Sequence, residues 1–231
     1  MLKKKLLAGL AIAGASAVLV ACGTGSSSSG ISAAGTAAQG KPIAGASIAL
    51  TCANGASLTA VTDSNGKYFT APAVVAYPCV GTARQGSLSY RTILFSGNIA
   101  NFTPLTELLV TVVLTASGDA DLSGFLTKVQ TPSYAVSVIN FASSYRSAVI
   151  TALKNIGVTD AQLSALSSNF ESVSFNADGT GDDKVLDDTK SKIQNSDGSV
   201  NTTARDQAIV QGQKAPKPSA TGASGSTGSS S

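Results

Sequence analysis

Along residues 31–100 apolar side chains alternate with polar ones in short runs; beyond 100 they recur at three- and four-residue spacings. The first pattern predicts strands over 31–38, 46–52, 56–62, 67–71, 77–83 and 87–96, broken by turn-forming clusters, as in a sandwich or barrel. In the run 46–52 the inward set is Ala46, Ile48, Leu50 and Cys52. Asn54-Gly55 and Asp63-Ser64-Asn65-Gly66 read as hairpin turns in which glycine supplies positive φ. Pro78 marks an edge or a strand start, because it cannot donate to a ladder. The run 87–95 carries apolar residues on both faces and predicts a central strand covered on both sides.

Thr103-Pro104 opens the second pattern, with threonine as N-cap and proline at the first helical position. Leu105, Leu108, Leu109, Val112 and Val113 follow at helical spacing, although the β-branched run 110–113 leaves a strand as the alternative. A short helix is predicted over 121–130. A long one follows over 133–156, where Ala135, Val138, Ile139, Ala142, Tyr145, Val149, Ala152, Leu153 and Ile156 share one stripe. Gly157 ends it, and Thr159 with Gln162 forms a capping box for the next helix. Residues 183–193 make the last one. The expected fold class is α+β: an antiparallel β-sandwich over 31–100, a helical region over 101–196, and disordered termini.

The ends obey neither pattern. Lys3, Lys4 and Lys5 precede sixteen uncharged residues, 6–21, and then Cys22. A basic start before an apolar run is a secretory signal layout, and at ~1.5 Å per residue the run is short for a membrane-spanning helix. Leu19-Val20-Ala21-Cys22 resembles the lipobox of bacterial lipoproteins. That resemblance implies a signal peptide over 1–21, cleavage between Ala21 and Cys22, and palmitate-type lipidation of Cys22. Gly23, in place of an aspartate, implies outer-membrane sorting in a two-membrane bacterium. Residues 22–30, rich in Ser and Gly, form a flexible tether, and 197–231 are assigned to a disordered tail.

Composition narrows the chemistry. The chain of 231 residues has no His, no Trp and two Glu, which excludes imidazole-dependent triads and His-based zinc sites. Its net charge of +3 vanishes once Lys3, Lys4 and Lys5 are removed, since residues 1–21 hold no acid. No clustered basic footprint for nucleic acid remains. With Cys22 acylated, Cys52 and Cys79 are left outside the cytoplasm, where a disulfide between them is expected; two buried free thiols are the alternative.

The segment Gly40-Lys41-Pro42-Ile43-Ala44-Gly45-Ala46, then Ile48 and Leu50, and later Thr62-Asp63, Gly66 and Tyr68, resembles carboxypeptidase-regulatory-like (prealbumin-like) modules. The resemblance covers 31–83 and implies a β-sandwich of seven strands or fewer that acts as spacer or binding module, not as catalyst. The long helical segment departs from a lone module. Phe102-Thr103-Pro104-Leu105-Thr106-Glu107-Leu108 and the stretch 177–187 also resemble uncharacterised proteobacterial surface lipoproteins.

Five of the eleven aspartates lie within 178–188. Asp178, Asp182 and Asp183 in a Gly-rich loop form a candidate Ca²⁺ site, without EF-hand order. Capping of a helix N-terminus by solvated acids is the favoured reading, and their polar neighbours predict no raised pKa. Tyr68, Tyr77 and Tyr90 are candidates for a sugar-stacking platform; Tyr145 reads as core. The expected function is a non-catalytic binding or structural lipoprotein of the cell envelope. It meets the membrane through its lipid and takes an envelope protein or glycan as partner, with no required cofactor. An Asp-dependent glycan hydrolase and a Ca²⁺-stabilised adhesion module are the alternatives.

Overall fold

A computed structural model describes residues 30–220. The expected signal peptide, the Ala21–Cys22 cleavage site, lipidation at Cys22, the tether up to residue 29 and the segment 221–231 lie outside the described residues. Among the described residues the chain is mixed α and β, with two antiparallel sheets and seven helices. The strands are β1 (Ala34–Thr36), β2 (Ser47–Cys52), β3 (Ser57–Val61), β4 (Lys67–Phe69), β5 (Cys79–Gln85) and β6 (Leu88–Leu94). β1 and β4 form a two-stranded ribbon, and the larger sheet has the order β3-β2-β5-β6.

Alternation works as expected in β2: Ile48, Leu50 and Cys52 are buried, while Ser47 and Ala49 are exposed. Leu50 lies opposite both Leu58 and Gly81, and Cys52 lies opposite Cys79, to which it is disulfide-bonded. These residues join Ile43, Tyr68, Tyr90, Leu94 and Phe102 in one apolar core. Val80 and Ile93, of opposite parity, join Phe95 in a second core with the helices. The larger sheet is therefore packed on both faces at β5 and β6.

The Asp63–Gly66 turn is built as expected. Asp63 Oδ1 accepts from the backbone of Asn65 (2.8 Å) and Lys67 (2.9 Å), and Gly66 has φ +73°. It does not close a hairpin, however. The β2–β3 ladder ends where Thr62 takes up the amides of Gly45 and Ala46, and the chain then crosses to the ribbon, where β4 pairs with β1. β6 likewise departs from expectation: it is covered on both faces but stands at the sheet edge. At Arg91 its outer backbone is satisfied by side chains. The Arg91 amide donates to Glu107 Oε2 (2.8 Å), and the Arg91 carbonyl accepts from Thr106 Oγ1 (2.8 Å).

Both of those side chains come from α1 (Pro104–Ser117), which is a helix and not a strand. Thr103 caps it by accepting from the Thr106 amide, and Pro104 sits in its first turn. It is buried on nearly every side because β6, α4 (Ala142–Asn155) and α7 (Thr202–Lys214) surround it. α2 (Leu122–Val129) follows, with Asp121 as N-cap. The long helix expected over 133–156 is two helices, α3 (Pro132–Asn140) and α4. At Phe141 the backbone leaves the helical region (φ −91°, ψ 3°), and its amide is shared between the Ser137 and Val138 carbonyls. The break carries the apolar stripe around the core: Ala135 and Val138 before it, and Tyr145, Val149 and Leu153 after it, are all buried. α5 (Asp160–Leu163) opens with the expected Thr159–Gln162 capping box, and α6 (Gly181–Ile193) begins two residues before its expected start.

The tail expectation is corrected over α7. Ala204, Ala208 and Gly212 recur every four residues and form a seam of small side chains on α1. A Cβ at Gly212 would stand 2.7 Å from Thr115 Cβ and 2.8 Å from the Val112 carbonyl oxygen, so the backbones meet closely. Gly212→Ala is therefore expected to lose about 1–3 kcal/mol to overpacking, against the ~1 kcal/mol that alanine gains in a solvated helix. Urea unfolding checks the sign. A stabilised variant would mean that α7 does not seat against α1.

Candidate functional site

The acidic segment does not converge on one point. Asp178 is exposed and accepts from the Thr180 hydroxyl (2.7 Å) and amide (3.1 Å), which hold its carboxyl below the usual range. Asp182 and Asp183 lie in the first turn of α6, as helix capping predicts, yet both are buried. Asp182 Oδ1 accepts from the Ser167 amide (2.7 Å) and Asp183 Oδ2 from the Gly179 amide (2.8 Å); the second oxygen of each has no partner. Asp188 pairs with Lys184 at 2.5 Å. Among the described residues no group of three or more His, Cys, Asp or Glu is placed to hold a metal ion.

The expectation of ordinary carboxyl behaviour is corrected for this pair. Burial pushes the carboxyls of both Asp182 and Asp183 upward, and nearby Glu171 adds to the shift of Asp182. The folded state thus holds their protons more tightly than the unfolded chain, so their contribution to stability is present at low pH and is lost as pH rises. Asp183→Asn removes that loss while keeping an acceptor for Gly179. The melting temperature of the variant relative to the native chain is expected to be higher at neutral pH than near pH ~4, where the native carboxyl is partly protonated. An offset that does not change with pH would contradict the burial effect.

The three tyrosines do not form a sugar platform. Tyr68 and Tyr90 are buried in the β core, and their hydroxyls donate to the carbonyls of Ala100 (2.6 Å) and Gly198. Only Tyr77 is partly open, with its hydroxyl on the Gly97 carbonyl. Tyr145 is core, as expected.

The structure instead brings together residues that no local motif marks. Asn101, fully buried, donates from Nδ2 to the carbonyls of Phe170 (3.0 Å) and Val173 (2.7 Å) and accepts from the Thr36 amide (3.1 Å). Its own amide donates to the Glu171 carbonyl (2.8 Å). The irregular segment 164–180 is thereby fastened to the β half, with the Glu171 side chain wholly inside. Arg146 of α4 meets it there: Nε donates to both carboxylate oxygens (3.0 Å each) and Nη2 to Oε1. The guanidinium also lies 5.4 Å from the Phe95 ring centroid. Arg91 and Glu107 make the same kind of clamp between β6 and α1. Both glutamates of the chain are thus buried against arginines. The available signal was their rarity, each beside large apolar residues, Leu108 and Phe170.

Arg146 keeps one-fifth of its side chain open and lines the floor of a cleft of about 490 Å³ between α4 and the segment from α5 to Phe170. That volume is in the range of small-molecule sites. Ser143, Ser147 and Thr151 stand along its α4 side, and Ser167 and Ser168 border it from the other segment. A smaller cavity of about 260 Å³ borders Asp182, Thr180 and Asn176. Among the described residues no single helix is long and apolar enough to cross a membrane. Comparison with family models, curated proteins and solved structures finds no match to this chain.

Proposed function

We propose that this protein is a lipoprotein of the bacterial cell envelope, anchored through Cys22, whose folded body is a non-catalytic binding or structural module. The observation that carries the reading is Leu19-Val20-Ala21-Cys22 at the end of a signal-like run. The disulfide Cys52–Cys79 supports it, because such bonds form and persist outside the reducing cytoplasm. Several acyl chains hold a protein on a bilayer where one is marginal, at about 0.8 kcal/mol per buried CH₂.

The β half is proposed to be a prealbumin-like sandwich. Ribbon and larger sheet share one core, and the resemblance residues occupy structural posts: Ile48 and Leu50 inward, Asp63 and Gly66 in the turn, Tyr68 in the core. The Arg–Glu clamps suit a structural body, since each joins two packed elements through an ion pair with a buried carboxylate. Metabolic labelling with radioactive palmitate tests the anchor. Label is expected in the native chain and not in Cys22→Ala, which should leave the membrane fraction. An unlabelled native chain, or an unchanged distribution of the variant, would overturn the reading.

A further inference from the structure

We propose that the cleft between α4 and the segment 160–170 is a binding site for an uncharged saccharide unit. The inference deepens the binding-module reading and rests on it, by naming a site and a ligand class. Three observations point to that class. The first is charge: Arg146 is paired with Glu171, and Lys154 with Asp160 at 2.5 Å, so the ionic groups of the cleft cancel and favour a neutral guest over an anion.

The second is the arrangement of donors. Nε and Nη2 of Arg146 are taken by Glu171, and among the described residues Nη1 makes no hydrogen bond, so the guanidinium is fixed in place with N–H groups to spare beside the cleft. A donor held by a buried carboxylate loses little freedom when a ligand hydroxyl meets it. Hydroxyls stand on both sides, Ser147 on α4 and Ser168 opposite, each able to donate and accept, as sugar hydroxyls require. The third is the apolar part of the lining, Ile150 and Leu166, which suits the C–H face of a sugar ring. An acyl chain would leave the Arg146 N–H groups without water or partner, which is costly.

The test uses the full chain labelled with ¹⁵N, titrated with glucose, galactose, N-acetylglucosamine, cellobiose and chitobiose, and separately with citrate and decanoate. At least one sugar is expected to give saturable shifts confined to 143–154 and 160–170, with no such response to citrate or decanoate. Ser147→Leu and Ser168→Leu place bulk on opposite sides of the cleft at exposed positions. Each is expected to melt as the native chain does and to weaken binding about tenfold or more. No saturable shifts with any of the five sugars would overturn the proposal. So would shifts elsewhere, preference for citrate or decanoate, or binding unchanged in both variants. Lipidation plays no part in this readout, so a failed sugar titration and a failed palmitate labelling are separate results.

Discussion

Arg146→Met is expected to lower the free energy of unfolding by about 3–5 kcal/mol, because it leaves the wholly buried Glu171 carboxylate without its partner. Arg146 is itself one-fifth exposed, so its charge alone could be rehydrated; the glutamate cannot follow it out. The asymmetry gives a second arm. Replacing both partners, as Arg146→Met with Glu171→Leu, removes the unpaired charge and is expected to recover most of the loss, since a buried pair and an apolar pair of similar volume are often close in energy. Urea unfolding of native, single and double variants measures both. A single variant within ~1 kcal/mol of native would place the pair among solvated surface contacts. A double variant as weak as the single one would mean that Arg146 acts through its packing on Phe95 rather than through its charge.

Loss of the disulfide is the second large effect. Cys52 and Cys79 are separated by 27 residues and lie opposite each other on β2 and β5, inside the β core. Closing a loop of that length contributes about 3–4 kcal/mol through the unfolded chain. Cys52→Ala with Cys79→Ala should lose that amount, together with the packing of two buried sulfurs. Alkylation without reductant is expected to leave both cysteines unmodified, and reduction of the native chain to lower its melting temperature. Two readily alkylated thiols, or identical melting of the oxidised and reduced chains, would contradict the bridge.

Features set by neighbouring residues were legible before the fold was known. The alternation of Ile48, Leu50 and Cys52, the Asp63–Gly66 turn, and the Thr103-Pro104 helix start depend on a few positions each, and all appear where local chemistry puts them. What failed was decided by distant partners. The pairing of β4 with β1 rather than β3, and the place of β6 at an edge, depend on partners far along the chain that a strand's own pattern does not name. Glu107 and Thr106 serve that edge from another element, which no strand pattern reveals. α7 was missed because its seam consists of Ala204, Ala208 and Gly212, small residues whose packing is a matter of close approach rather than of apolar area. The cleft was illegible because distant residues build it. Arg146 and Glu171 are 25 residues apart, and their meeting depends on Asn101, a third segment that ties down the loop. The aspartates were visible as a cluster, but their burial, and so their raised proton affinity, follows from how α6 is seated.

The processed front end of the chain decides both location and role, and intact-protein mass spectrometry of material extracted from membranes tests it directly. The expected mass begins at Cys22 and carries a diacylglycerol thioether with a further acyl chain. A chain that keeps Met1, starts at any residue other than Cys22, or starts at Cys22 without lipid would contradict it.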